Sequence, residues 1–423
     1  MQFQHHSIAD GVNLYACETD KFKTVTMKVF IQQELSKDYA SATALLSMIL
    51  PRGSKKYPTT LELAQQMENL YGAAIGSDVM KVGERLILEF YFDMVDPQLL
   101  VDGDKILAQG FSTFWDLLTD TRRSDHGFHP DYFMQEQQNL KRLVDGLINE
   151  KRSYAIQRAI SHMCPQEPFG LYKYGDQDSI TALQNHDVYA YYQSVLCQNP
   201  MDIFLVGPNL EKWVGQISER SFNRQPVKSL AANSNKRVDK PTEVQERRDV
   251  SQAILVMGYR TEQTYTSDEY YSLVVCNGIL GAFPHSKLFV NVREKANLAY
   301  YVGSGLEGSK GLITISAGIE GDQYEKAVDI ISKQVIALQQ GDISEDELIR
   351  TKKGLISGIQ SMNDSATSVI DRNVLGVIHG KLRSTEEVTQ AIAAVTLGQV
   401  QAVARGIELD TVYFLSNGKG DNE

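Results

Sequence analysis

Residues 23 to 31, KTVTMKVFI, alternate polar and apolar side chains with period two, which predicts a strand with one face buried. The run SATALLSMIL, residues 41 to 50, is apolar almost throughout and predicts a buried helix; residues 84 to 93, ERLILEFYFD, predict a second strand. The same succession returns later. QAILVMGYR (252 to 260) leads to DEYYSLVVCNGIL (268 to 280), then to a helix at SKLFVNVREK (286 to 295) and a strand at GLITISAGIE (311 to 320). An offset of 226 residues lays Leu86 on Leu312 and Asp96 on Asp322, so the chain reads as an internal duplication.

Between the two sets, Arg220 to Asp249 is polar and charged with few large apolar residues. It reads as a linker, placed at 219–249 between halves 1–218 and 250–423. Thr59 with Glu62, Ser344 with Glu347 and Ser384 with Glu387 have the spacing of capping boxes, which mark helix starts. The later third of each half is mainly helical. The expected fold class is therefore α+β, two duplicated halves that each cover one face of an antiparallel sheet with helices.

Composition narrows the function. A chain of 423 residues, 42% of them apolar, can bury more than one core. A net charge of −11 argues against nucleic acid, which selects for a basic face. The N-terminal segment lacks the basic-then-apolar pattern of a signal peptide, and no apolar run approaches the roughly 20 residues of a membrane span, so a cytoplasmic protein is expected. Cys17, Cys164, Cys197 and Cys276 are scattered, as expected of inert thiols.

Gly303, Gly305 and Gly308 spell G-x-G-x-x-G, and Gly303 to Lys310 nearly spells a P-loop with its Lys and Ser transposed. Both motifs hold phosphate at a helix N-terminus, yet strands flank these glycines on both sides. The expectation is a hairpin whose glycines supply positive φ angles. There is no G-x-S-x-G elbow.

Two segments carry a family resemblance. GAFPHSKLFVNVREKANLAYYVGSG, Gly281 to Gly305, is similar to the second-half signature of the pitrilysin/insulinase family of zinc metallopeptidases. LPRGSKKYPTTLELAQQMENLYGA, Leu50 to Ala73, resembles the first-half segment that follows the family's metal motif. The resemblance covers nearly the whole chain and implies a LuxS/processing-peptidase-like fold. The family's H-x-x-E-H motif places two His one helical turn apart on zinc and a Glu beside them as base. In this chain it falls on Ala44, Leu45, Leu46, Ser47 and Met48, so both His and the Glu are missing. The family's third ligand falls best on Leu143, with Glu136 two turns away. None of the eight His stands four residues from another, and His126 with His129 offers only a loop pair. The expectation is no metal, no cofactor and no catalytic residue in this chain, with Ala44, Ser47, Met48 and Leu143 as degenerate motif positions.

Arg293 and Tyr300, seven residues apart, match the Arg and Tyr that in the family bind the substrate backbone near the scissile bond. A guanidinium and a phenol suit that task, since both donate hydrogen bonds to a carbonyl or an oxyanion. The plainer alternative pairs Arg293 with Glu294 on a helix surface and buries Tyr300 in a strand. Keeping this pair without the metal motif is the pattern of the noncatalytic subunit in two-chain members. The resemblance implies a zinc-bearing homologous (YfmH-like) partner, or self-association, and a peptide substrate. Asn149 to Asp176 is nearer to a bacterial YfmF-like group, described as associated with 5-aminopentanol modification of elongation factor P, than to mitochondrial processing subunits. A structural or binding protein without a peptidase partner, as a homodimer or scaffold, is the alternative, and a self-sufficient hydrolase is a third.

Overall fold

The computed structural model describes every residue except 126, 232, 234, 235, 237 and 419–423. Two compact units emerge. One consists of Met1–Asp145, Leu171–Ala232 and Asn363–Val374, the other of Gly146–Gly170, Asn233–Met362 and Leu375–Glu423.

The first unit holds β1 (Gln4–Ala9), β2 (Val12–Glu18), β3 (Thr24–Glu34), β4 (Ala74–Val82), β5 (Arg85–Val95), a short hairpin of β6 (Arg123–Ser124) and β7 (Gly127–Phe128), and β8 (Met201–Gly207). Its main sheet runs β1-β2-β8-β3-β5-β4, antiparallel except for the parallel pair β2 and β8. The alternation read in residues 23 to 31 sets the faces. Val25, Met27, Val29 and Ile31 are buried with Leu88, Phe90 and Phe92 of β5, against helices that contribute Leu45, Phe114, Leu140 and Val188. On the opposite face the buried Lys28 ammonium pairs with Glu89 at 2.6 Å and with Asp371 at 2.7 Å. A buried ammonium is tolerated because it has two carboxylate partners.

The second unit holds β9 (Thr242–Arg248), β10 (Ala253–Arg260), β11 (Ala299–Glu307), β12 (Leu312–Ile319) and β13 (Glu408–Asn417), ordered β11-β12-β10-β13-β9. Again one pair is parallel, here the terminal pair β9 with β13, and the rest are antiparallel. The succession β4-β5-β3-β8-β2 of the first sheet thus has its counterpart in the second, as a duplicated α+β fold requires. Leu255, Met257, Ile313 and Ile315 face helices that bring Leu273, Ile331 and Val400. Ile254, Val256, Tyr413 and Leu415 on the other face pack against Ala155 and Ala159 of the Lys151–Met163 helix.

That helix precedes residue 218 in the chain yet belongs to the second unit, so the compact units differ from contiguous halves at 1–218 and 250–423. An amphipathic stripe shows that a helix needs a covering surface, not which one. The stretch 219–249 also ends in a strand: β9 is mostly exposed, with only Val244 and Glu246 half-buried, because it is an edge strand paired on one side. All three capping boxes form, the Ser344 one with its amide 2.8 Å from the Glu347 carboxylate. Among the described residues no helix is long and apolar enough to cross a membrane.

Candidate peptide-binding cleft

In the second unit the chain leaves Leu288 as a π-helical segment, Phe289–Lys295, and enters β11 through Asn297, which sits at φ +50°. Asn tolerates the left-handed region better than other non-glycine residues, so a tight reversal fits here. β11 then pairs with β12 in a register that opposes Ala299 to Ile319 and Tyr301 to Gly318, leaving Tyr300 as the extra residue of a β-bulge. A bulge turns one side chain out of the pleat, and Tyr300 is 79% exposed. Arg293, on the last turn of the π-helical segment, lays its guanidinium over the Phe289 ring at 4.8 Å. Both side chains line one open cleft of about 730 Å³, together with Gln252, Glu294, Asn297 and Glu320.

The structure therefore brings Arg293 and Tyr300 together. Among the described residues Arg293 is in no ion pair, with Glu294 or otherwise, and Tyr300 is not strand core. Their N–H and O–H donors point to no acceptor within the described protein. β11 is the terminal strand of its sheet, and the Gly278–Ala282 segment covers part of its outer edge, where Gly281 lies against Gly303 and Ser304. Chemically, the cleft offers a cation, a phenol and a strand edge to an extended backbone. Gln252, Asn297 and Glu320 were not foreseen. An Asn just past a helix end was the available signal for the reversal at 297, but nothing local marks Gln252, one residue before β10, or Glu320, one residue after β12.

The neighbouring glycines sit in the expected hairpin for a different reason from the expected one. Gly303 and Gly305 lie within β11, and of this loop only Gly311, at φ +70°, is in the left-handed region. Gly308 is held by crowding, since a Cβ there would lie 2.5 Å from the Tyr270 hydroxyl. The residues after the loop form β12, so no helix N-terminus is available to a phosphate.

In the first unit the Lys37–Ile49 helix carries the degenerate motif positions. Ala44 is wholly buried, Ser47 is buried with its Oγ donating to the Ala44 carbonyl at 2.7 Å, and Met48 packs half-buried on the same core. None of the three offers a free ligand atom suited to zinc. Leu143, on the Pro130–Gly146 helix, is 38% exposed. The nearby carboxylate, Glu136, is buried and already accepts from Arg52 and Asn139. His126 lies outside the described residues. Among those described, no three His, Cys, Asp or Glu side chains are grouped to hold a metal ion. A zinc ion in the family's manner does not fit these residues.

Comparison with known proteins places this geometry. Residues 182–392 match the family described as Peptidase M16 inactive domain. A Bacillus subtilis protein named as the probable inactive metalloprotease YmfF is 32% identical over 97% of this chain and 97% of its own length. A crystal structure of a conserved protein from Enterococcus faecalis superposes with a TM-score of 0.93 at 28% identity over the whole of both chains. A peptidase M16 inactive domain from Pseudomonas fluorescens does so at 0.80 and 16% identity, also over both whole chains, a likeness of fold. With 32% identity to YmfF along almost its full length, and with Ala44, Ser47 and Met48 where the motif has two His and a Glu, the chain belongs to the M16, or pitrilysin/insulinase, metallopeptidase family as an inactive homologue that lacks the zinc motif.

Proposed function

We propose that this chain is the noncatalytic subunit of a two-chain peptidase, binding the peptide backbone through Arg293 and Tyr300 while a zinc-bearing homologous subunit supplies the metal and the base. The observation that carries this reading is the bulge that turns Tyr300 outward into the cleft lined by Arg293, on the terminal strand of a sheet. An extended substrate adds to the edge of β11 beside Tyr300, where main-chain hydrogen bonds give affinity. Arg293 and Tyr300 then donate to carbonyl oxygens, and more strongly to an oxygen that gains charge during attack. The chain itself supplies neither nucleophile nor metal, so its part is binding and orientation.

The test is reconstitution. Titrating this chain into a zinc-bearing homologous subunit and following cleavage of a fluorogenic peptide should give saturable stimulation. Arg293→Ala should cut kcat/KM by about 10-fold or more, as expected for loss of a charged hydrogen bond worth about 1.5–3 kcal/mol. Saturable assembly with no change on Arg293→Ala and Tyr300→Phe would remove the role assigned to the pair. Failure of any zinc-bearing homologue to bind would favour the alternative, a non-enzymatic binding protein or homodimer.

A further inference from the structure

A second cavity, in the first unit, belongs to none of this. It measures about 430 Å³, within the range of small-molecule sites, and is walled by Trp115, Arg123, Tyr189, Leu196, Arg220 and Phe222. The walls combine an apolar box with unspent N–H donors. Arg220 lies over the Trp115 ring at 4.5 Å, and Phe222 meets the same ring edge-on at 5.7 Å. Arg220 donates one hydrogen bond, to Thr119 Oγ1 at 3.0 Å, and Arg123 donates one, to the Tyr189 hydroxyl at 3.3 Å. A guanidinium carries five N–H donors in a fixed fork, so each has most of its capacity left. Among the described residues neither is in an ion pair. Trp115 is fully buried, and its indole N–H has no hydrogen-bond partner among the described residues.

Half-burying a guanidinium is costly, and burial lowers the Arg220 pKa against the pull of Asp116. Asp120 also lines the cavity. Asp116 near Arg220 and Asp120 near Arg123 balance the two guanidiniums in charge, so what the cavity offers is their unspent N–H donors, which suit a monoanion better than a phosphate dianion. The planar fork of Arg favours a carboxylate, and the ring-lined walls favour an apolar body beside it.

We propose that this cavity binds a carboxylate carried on an apolar or aromatic group, the chemistry shared by the C-terminal residue of a peptide and by a free aromatic acid. Two reporters are built in. Trp115 walls the cavity, so its fluorescence should respond to an occupant. Cys197 also lines it and is half-buried, whereas Cys17, Cys164 and Cys276 are buried, so thiol alkylation should report on Cys197 first.

The experiment titrates the full chain with N-acetyl-L-phenylalanine, with 3-phenylpropionate and with N-acetyl-L-phenylalanine amide. The acids should give a saturable fluorescence change with a dissociation constant on the order of 1 mM or below, and should slow alkylation of Cys197. The amide, lacking the carboxylate, should bind at least about 10-fold more weakly. Arg220→Ala should weaken the acids about 10-fold, and so should Arg123→Gln, an exposed substitution that leaves the core untouched. Tighter binding of the acetylated amino acid than of phenylpropionate identifies a peptide terminus as the source; equal binding identifies a small acid. Equal affinity for acid and amide, no saturable binding by either acid, or an unchanged affinity in Arg123→Gln overturns the proposal.

Discussion

Replacing Glu246 with Gln should destabilise the second unit at neutral pH and leave it nearly indifferent at low pH. Glu246, on β9, accepts hydrogen bonds from Tyr154 at 2.6 Å, Arg248 at 2.8 Å, Tyr413 at 2.9 Å and Arg158 at 3.0 Å. Tyr154 and Arg158 come from the Lys151–Met163 helix, so one carboxylate joins that helix to the sheet beneath it. Burial alone would raise the Glu246 pKa. The hydrogen bonds from Tyr154, Arg248, Tyr413 and Arg158 outweigh it and hold the group down at about 2 from its ordinary 4.5. Its side chain is 14% exposed, so solvent screens the site only in part. A pKa lowered to that extent corresponds to about 3 kcal/mol. Hydrogen bonds to a charged acceptor at about 1.5–3 kcal/mol each, counting only the two tyrosines because both arginines reach solvent, give the same order.

The sign follows from the depressed pKa. The stabilisation is fully present above pH 4.5 and is lost as pH falls toward 2. Differential scanning calorimetry of wild type and Glu246→Gln should therefore show a Tm gap of about 6–12 °C at pH 7, at the 2–4 °C per kcal/mol usual for domains of 150–250 residues. The gap should narrow as pH falls below 4.5. Hydrogen exchange in the Lys151–Met163 helix should accelerate in the variant. A gap under about 1 °C at pH 7, or one that does not change between neutral pH and pH 3, would refute the reasoning.

Three further outcomes follow from single contacts. Lys310, with its side chain wholly buried, pairs with Glu167 at 2.6 Å beside the Arg260–Glu167 pair; Lys310→Met should cost about 3 kcal/mol in urea unfolding, because Glu167 is left with one cation. Gly308→Ala should cost about 1–3 kcal/mol by the same assay, since the new methyl collides with Tyr270. Thr59→Ala removes a complete capping box and should cost about 1 kcal/mol, read as a lower thermal midpoint.

Much of the architecture was legible because burial imposes period two on strands. Val25, Met27, Val29 and Ile31 face the core as their alternation requires, although Thr26, Lys28 and Phe30 on the opposite face are buried as well, so β3 does not have the one solvated face its pattern predicts. Ile313, Ile315 and Ala317 face the second core, and the Thr59, Ser344 and Ser384 caps form at the spacing the motif dictates. β9 was not legible, because TEVQERR has no apolar face to betray an edge strand. The assignment of Lys151–Met163 to the second unit was equally hidden, since its small buried residues Ala155 and Ala159 fit many surfaces. At the candidate site, the residue types of Arg293 and Tyr300 could be read, but not the bulge that turns Tyr300 outward. One extra residue in a strand is a property of the pairing register, which involves β12 as much as β11. Asp176 with Ser179 and Thr396 with Gln399 form two more capping boxes that less typical partners concealed.

The account rests most heavily on the helix Lys37–Ile49, where Ala44, Ser47 and Met48 leave no ligands for a metal. Purified chain exposed to zinc and then passed through a desalting column should retain less than roughly 0.1 equivalent by inductively coupled plasma mass spectrometry, with no peptide turnover by the chain alone. Retention of about one equivalent with peptide turnover would contradict it.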